Sequence, residues 1–147
     1  MNNSRQIALI STMLGKEREC YLFELSKVIS FMEKKIATIK KMISYQNDYY
    51  TSEHLQLSRS VPALNKNLNA FSRKMTDVIQ QAEQELVQLQ KNKDKILSSI
   101  EDVDNKIRLM NLFADRVKLQ AMLQTERREQ SEQDELTSRE RLRGEHE

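Results

Sequence analysis

The chain has 147 residues, of which 31% are charged and 38% hydrophobic, and its formal net charge is +2. Two glycines, one proline and no tryptophan leave too few turn formers for a sheet protein of this length, and the composition suits long solvated helices with a narrow apolar seam. The near-balanced charge argues against the basic stripe of a nucleic-acid binder, while a single cysteine, Cys20, excludes an internal disulfide and fits a reducing compartment.

The segment Met1–Gln6 lacks the apolar run of a signal peptide, and no stretch reaches the ~20 apolar residues that span a bilayer. A cytoplasmic location is expected. The first helix is predicted over about residues 4–57, with Ser4 as its N-cap. Its apolar seam reads Ile7, Ile10, Leu14, Tyr21, Leu25, Val28, Met32, Ile36, Ile39, Ile43, Tyr50 and Leu57. At ~1.5 Å per residue such a helix is ~80 Å long. Residues 58–62 form the one clear break, with Ser60 as N-cap and Pro62 in the first turn of the second helix.

That second helix is predicted from about residue 62 to 128 or beyond, with no strong stop before Gly144. Its seam reads Leu64, Leu68, Phe71, Met75, Val78, Ala82, Leu86, Leu89, Ile96, Ile100, Val103, Ile107, Met110, Ala114, Val117 and Ala121. From Leu86 onward the steps alternate between 3 and 4, the repeat of a left-handed coiled coil. Residues 126–147 hold five Arg and eight Asp or Glu, a net 5 − 8 = −3. The polar tail 129–147 is therefore a solvated helix or a disordered segment.

The two seams mirror each other. Tyr50 with Phe71, Ile43 with Val78, Met32 with Leu89, Leu25 with Ile96 and Leu14 with Ile107 each sum to 121. The expected architecture is all-α, a single domain built as one long two-helix antiparallel coiled-coil hairpin. Val28, Met32 and Ile36 advance by 4 and 4, as do Val78, Ala82 and Leu86, which predicts matched stutters facing each other. Arg18, Gln46 and Lys93 interrupt the seam, and Gly15 predicts fraying or a bend nearby. With this register the first helix runs out opposite about Val117, leaving Leu119, Met122 and Leu123 on an unpartnered overhang.

Catalysis has no foothold here. A two-helix hairpin has no interior for a concave site, Gly15 and Gly144 are too isolated to cradle a phosphate, and the only scattered metal-ligand types are Cys20, His54 and His146 beside solvated carboxylates. No enzyme activity, cofactor or metal is expected. Lys34, Lys35, Lys40 and Lys41, with Lys91, Lys93 and Lys95, read as solvated faces. Met42, Tyr45 and Tyr49 are spaced 3 and 4 beside the seam, with Phe71, Met75 and Ile79 near them on the facing helix. Aromatic residues and methionine are enriched at recognition surfaces, so this is the candidate binding patch.

The run Met42-Ile43-Ser44-Tyr45-Gln46-Asn47-Asp48-Tyr49 resembles the most distinctive segment of the flagellar export protein family FliJ, and Phe71–Ile79 resembles its second segment. The likeness covers nearly the whole chain. It implies an antiparallel coiled coil similar to the central stalk of rotary ATPases. Such a protein inserts into the hexameric flagellar export ATPase ring, promotes its assembly and activity, and contacts the export gate protein FlhA and export chaperones. It would sit at the cytoplasmic face of the inner membrane, without inserting and without binding nucleic acid. Carried over by position, the gate surface comprises Met42, Tyr45, Tyr49, Phe71, Met75, Val78 and Ile79; the stalk-like end would be the open end, where the unpartnered overhang makes Leu119, Met122 and Leu123 the candidate ring contacts. Two other readings stand beside it: the equivalent stalk protein of a virulence type III secretion system, and a generic scaffold coiled coil.

Overall fold

The computed structural model describes residues 2–49 and 62–145, and every one of them is helical. Helix α1 runs Asn2–Tyr49 and helix α2 runs Pro62–Glu145. The fold is all-α, with the two long helices packed against each other. Pro62 opens α2, where its missing N–H costs nothing. Ser4 lies inside α1 and does not cap it, and α1 continues through Gly15 without a positive φ. The expected residues 50–57 of helix one, the turn 58–61 and the cap Ser60 lie outside the described residues. The tail is helical to Glu145. Threonines inside the helices are accommodated by back-bonding, as where Thr12 Oγ1 donates to the Ala8 carbonyl and Thr38 Oγ1 to the Lys34 carbonyl, each at 2.9 Å.

The helices divide into two packing units. The first joins residues 1–18 to 102–147, and the second spans residues 19–101. In the second unit, the seam of α1 runs through Tyr21, Leu25, Val28, Met32, Lys35, Ile39, Met42 and Gln46, stepping by 4 and 3, with Ile29 shielded beside it. The seam of α2 runs through Met75, Ile79, Ala82, Leu86, Leu89, Lys93, Ile96 and Ile100 with the same alternation, and Leu68, Phe71, Ser72 and Ser99 are shielded as well. Taken in opposite directions, the seam positions match one to one with a sum of 121. Ile39, Ile79 and Ala82 form the core cluster, and Met42, Met75 and Leu86 pack against it.

Cross-helix bonds in the second unit agree with that register. Lys35 pairs with Glu85, and Gln46 Nε2 donates to Thr76 Oγ1 at 2.9 Å, whose own proton goes to the Ser72 carbonyl at 2.9 Å. The pairing sums are 120 and 122, one residue either side of 121. In the first unit the seam of α1 runs through Ile7, Ser11, Leu14 and Arg18, against Val103, Ile107, Met110, Ala114 and Val117 on α2, with Gly15 and Asp104 also shielded. Here Arg18 Nε donates to Asp104 Oδ1 at 2.7 Å, closing an ion pair next to the buried Val103.

Two expectations about the seam are corrected. The matched stutters do not form, because Lys35 and Ile79 take the seam positions read as Ile36 and Val78. Ile79 is 8% exposed and Val78 44%, while Ile36 and Ile43 are each 39% exposed. Ile10 likewise yields to Ser11, and Ala121 is exposed, so the shielded run on α2 ends at Val117. The reason is phase. A seam that slips by one residue on one helix turns both helices relative to each other, and an uninterrupted 3–4 alternation on both avoids that twist. Lys35 tolerates the seam because its long stem lies along apolar neighbours while its ammonium reaches Glu85 at the flank. Arg18, Gln46 and Lys93 hold seam positions as expected, all half-buried.

Candidate functional site

The two segments singled out by the sequence meet in the second unit. The Tyr49 and Phe71 rings lie 4.3 Å apart between centroids, tilted by 34°. That distance is close to the range of favourable aromatic pairs. It brings the last residue of the Met42–Tyr49 run against the first of the Phe71–Ile79 run. Helical geometry explains why: Tyr49 and Phe71 sum to 120, the same offset as Lys35 with Glu85.

The seven candidate patch residues divide into two groups. Ile79 is buried in the core cluster, and Met42 and Met75 pack against that cluster, so these three act in the seam and not beside it. Tyr45 is 59% exposed, Tyr49 and Val78 are also exposed, and Phe71 is half-buried. The accessible remainder is an aromatic and aliphatic strip along one flank, made of Tyr45, Tyr49, Phe71 and Val78. Tyr45 and Val78 each sit one residue before a seam position, which points them to that flank.

The strip extends further along the second unit than the two runs that bear the resemblance. A shallow groove of about 520 Å³ is lined by Phe31, Lys34, Lys35, Thr38, Glu85, Gln88 and Leu89. Phe31, Thr38 and Tyr45 recur every seven residues, so a coiled-coil repeat puts them on one line. That spacing is legible in the sequence, but Phe31 stands apart from the Met-Tyr-Tyr cluster that marks the patch. Lys35, expected in a solvated basic run, is half-buried beside Glu85. Chemically the flank offers ring faces, aliphatic side chains and mixed charge, which suits binding.

The candidate ring contacts lie in the first unit. Leu119, Met122 and Leu123 are all exposed, as is every residue from Lys118 to Gly144. The same unit has a groove of about 340 Å³ whose apolar lining is Ile7, Ile10, Met110, Phe113 and Val117. Among the described residues no group of three or more metal-ligand side chains converges, and no helix is long and apolar enough to cross a membrane. Comparison with protein-family models, curated proteins and solved structures finds no match for this chain.

Proposed function

We propose that this chain is a non-catalytic component of the flagellar type III protein export apparatus, acting as a stalk-like coiled coil. It inserts into the hexameric export ATPase ring through Leu119, Met122 and Leu123, promotes assembly and hydrolysis there, and presents the Tyr45, Tyr49, Phe71 and Val78 flank to the export gate protein FlhA. Met42, Met75 and Ile79 support that flank from the core. Export chaperones are further partners, and the working location is the cytoplasmic face of the inner membrane.

The observation that carries this reading is the Tyr49–Phe71 ring contact. The two runs that bear the family resemblance are far apart in sequence, and antiparallel pairing joins them into one accessible strip. Fixed aromatic side chains give large contact area at low entropic cost, as a docking surface requires.

The test adds the purified protein to its cognate export ATPase and measures ATP hydrolysis and ring assembly. Both are expected to rise, and no change in either counts against the stalk reading. Tyr45→Ala with Tyr49→Ala is expected to weaken gate binding by roughly tenfold or more while far-ultraviolet circular dichroism stays the same. A loss of helicity in that variant would assign the tyrosines to packing instead.

A further inference from the structure

Helix α1 carries two apolar rows where a two-helix seam uses one. Beside the seam, Leu22, Ile29, Ile36 and Ile43 recur every seven residues. A 3.5-residue repeat keeps residues seven apart on one face, so these four make a straight row about 30 Å long. Leu22, Ile36 and Ile43 are exposed and Ile29 is half-buried. A coiled-coil seam needs two apolar positions in seven, whereas three in seven is the width with which a helix meets a broader core. This excess row is the source of the sequence-based expectation that Ile36 and Ile43 enter the seam.

The facing part of α2 on this flank is identified by the Gln46–Thr76 hydrogen bond. Seven-residue steps from Thr76 give Glu83, Gln90 and Leu97, and the next row outward holds Arg73, Gln80, Val87, Asp94 and Glu101. Leu97 and Val87 are exposed and extend the apolar surface. On α1 the outward row is Glu19, Ser26, Glu33 and Lys40. Five acids, one lysine and one arginine rim the surface, a local charge of 2 − 5 = −3 in a chain whose total is +2. Tyr45 and Val78 belong to the other flank of the same unit.

We propose that this acidic-rimmed row binds an amphipathic helix of a partner protein, one with apolar residues at alternating 3 and 4 spacing and lysine or arginine beside them. The straight seven-residue row matches the period of another helix, and the rim selects for positive charge. Two copies turning the same flank to each other would oppose their acidic rims, which disfavours that pairing. This inference does not depend on the export reading, since it uses neither the tyrosine strip nor the Leu119–Leu123 segment.

The probe is a synthetic amphipathic peptide with leucine at 3–4 spacing flanked by lysine, titrated into the full-length protein beside a scrambled peptide of the same composition. The striped peptide is expected to bind at least about tenfold more tightly, and more weakly as salt rises. Glu33→Lys with Glu83→Lys is expected to weaken it about tenfold, as is Ile36→Ser, while Tyr45→Ala leaves it unchanged. Helicity is measured for each variant, and if Ile36→Ser unfolds, the exposed charge reversals decide. Equal binding of the scrambled peptide, or full binding by the charge-reversed variant, overturns the proposal. Sedimentation of the protein alone covers the remaining occupant: self-association abolished by Ile36→Ser and not by Tyr45→Ala would assign the flank to a second copy and overturn it too.

Discussion

Ile79 and Val78 are neighbours with opposite environments, one in the core cluster with Ile39 and Ala82 and the other facing solvent. Truncating a buried Ile removes its transfer energy and leaves a cavity that a two-helix seam closes only in part. Ile79→Ala is therefore expected to cost about 2–4 kcal/mol, and Val78→Ala about 1 kcal/mol or less. Thermal unfolding monitored by circular dichroism separates the two, and equal losses would return Val78 to the seam. The polar seam residues act differently. Arg18–Asp104 and Lys35–Glu85 retain considerable solvent exposure, so each contributes on the order of 0–1 kcal/mol. Their larger effect is on specificity, because a slipped register would separate Arg18 from Asp104 and shield an unpaired charge.

At the scale of the element, helix continuity depends on composition and on what each helix rests against. Gly15 is helical, has no positive φ, and a Cβ built there meets nothing within 4 Å. Nothing in its surroundings requires glycine. Gly15→Ala is accordingly expected to stabilise the protein by about 0.5–1 kcal/mol through helix propensity and reduced freedom of the unfolded chain. A lower melting temperature for that variant would instead assign Gly15 to a close approach by another backbone. Residues 118–144 of α2 stand on helix propensity and their own backbone hydrogen bonds, since all are exposed. The candidate ring contacts thus lie in the part of α2 whose helix has the least tertiary support.

Neither packing unit buries much of its surface. No large side chain is fully shielded among the described residues. Unfolding therefore exposes less new surface than in a globular domain of equal length. The urea m-value is expected to fall clearly below that of a compact 147-residue domain. An m-value equal to that of a globular protein would mean that burial extends beyond the seam, for instance into an assembly. The functional consequence runs the other way: a protein with so little interior carries its chemistry on its flanks, and two flanks of the second unit differ sharply in kind. One is aromatic with mixed charge, the other aliphatic with an acidic rim.

Sequence alone determined the helices, their antiparallel order and the register sum of 121, because near-absence of Gly and Pro and a mirrored apolar pattern permit few alternatives. It also picked out the segments that meet at Tyr49 and Phe71. Only the tertiary structure decided which apolar row enters the seam. Periodicity within α1 cannot separate Ile36 from Lys35, because the rows Leu22, Ile29, Ile36, Ile43 and Tyr21, Val28, Lys35, Met42 are both largely apolar, and on α2 Val78 and Ile79 are equally apolar neighbours. Phase between two helices can, since each seam position must face its partner at every step of a shared 3.5-residue repeat. That constraint placed Met42 and Ile79 in the core, left Tyr45 and Val78 accessible, and set a second aliphatic row free on α1.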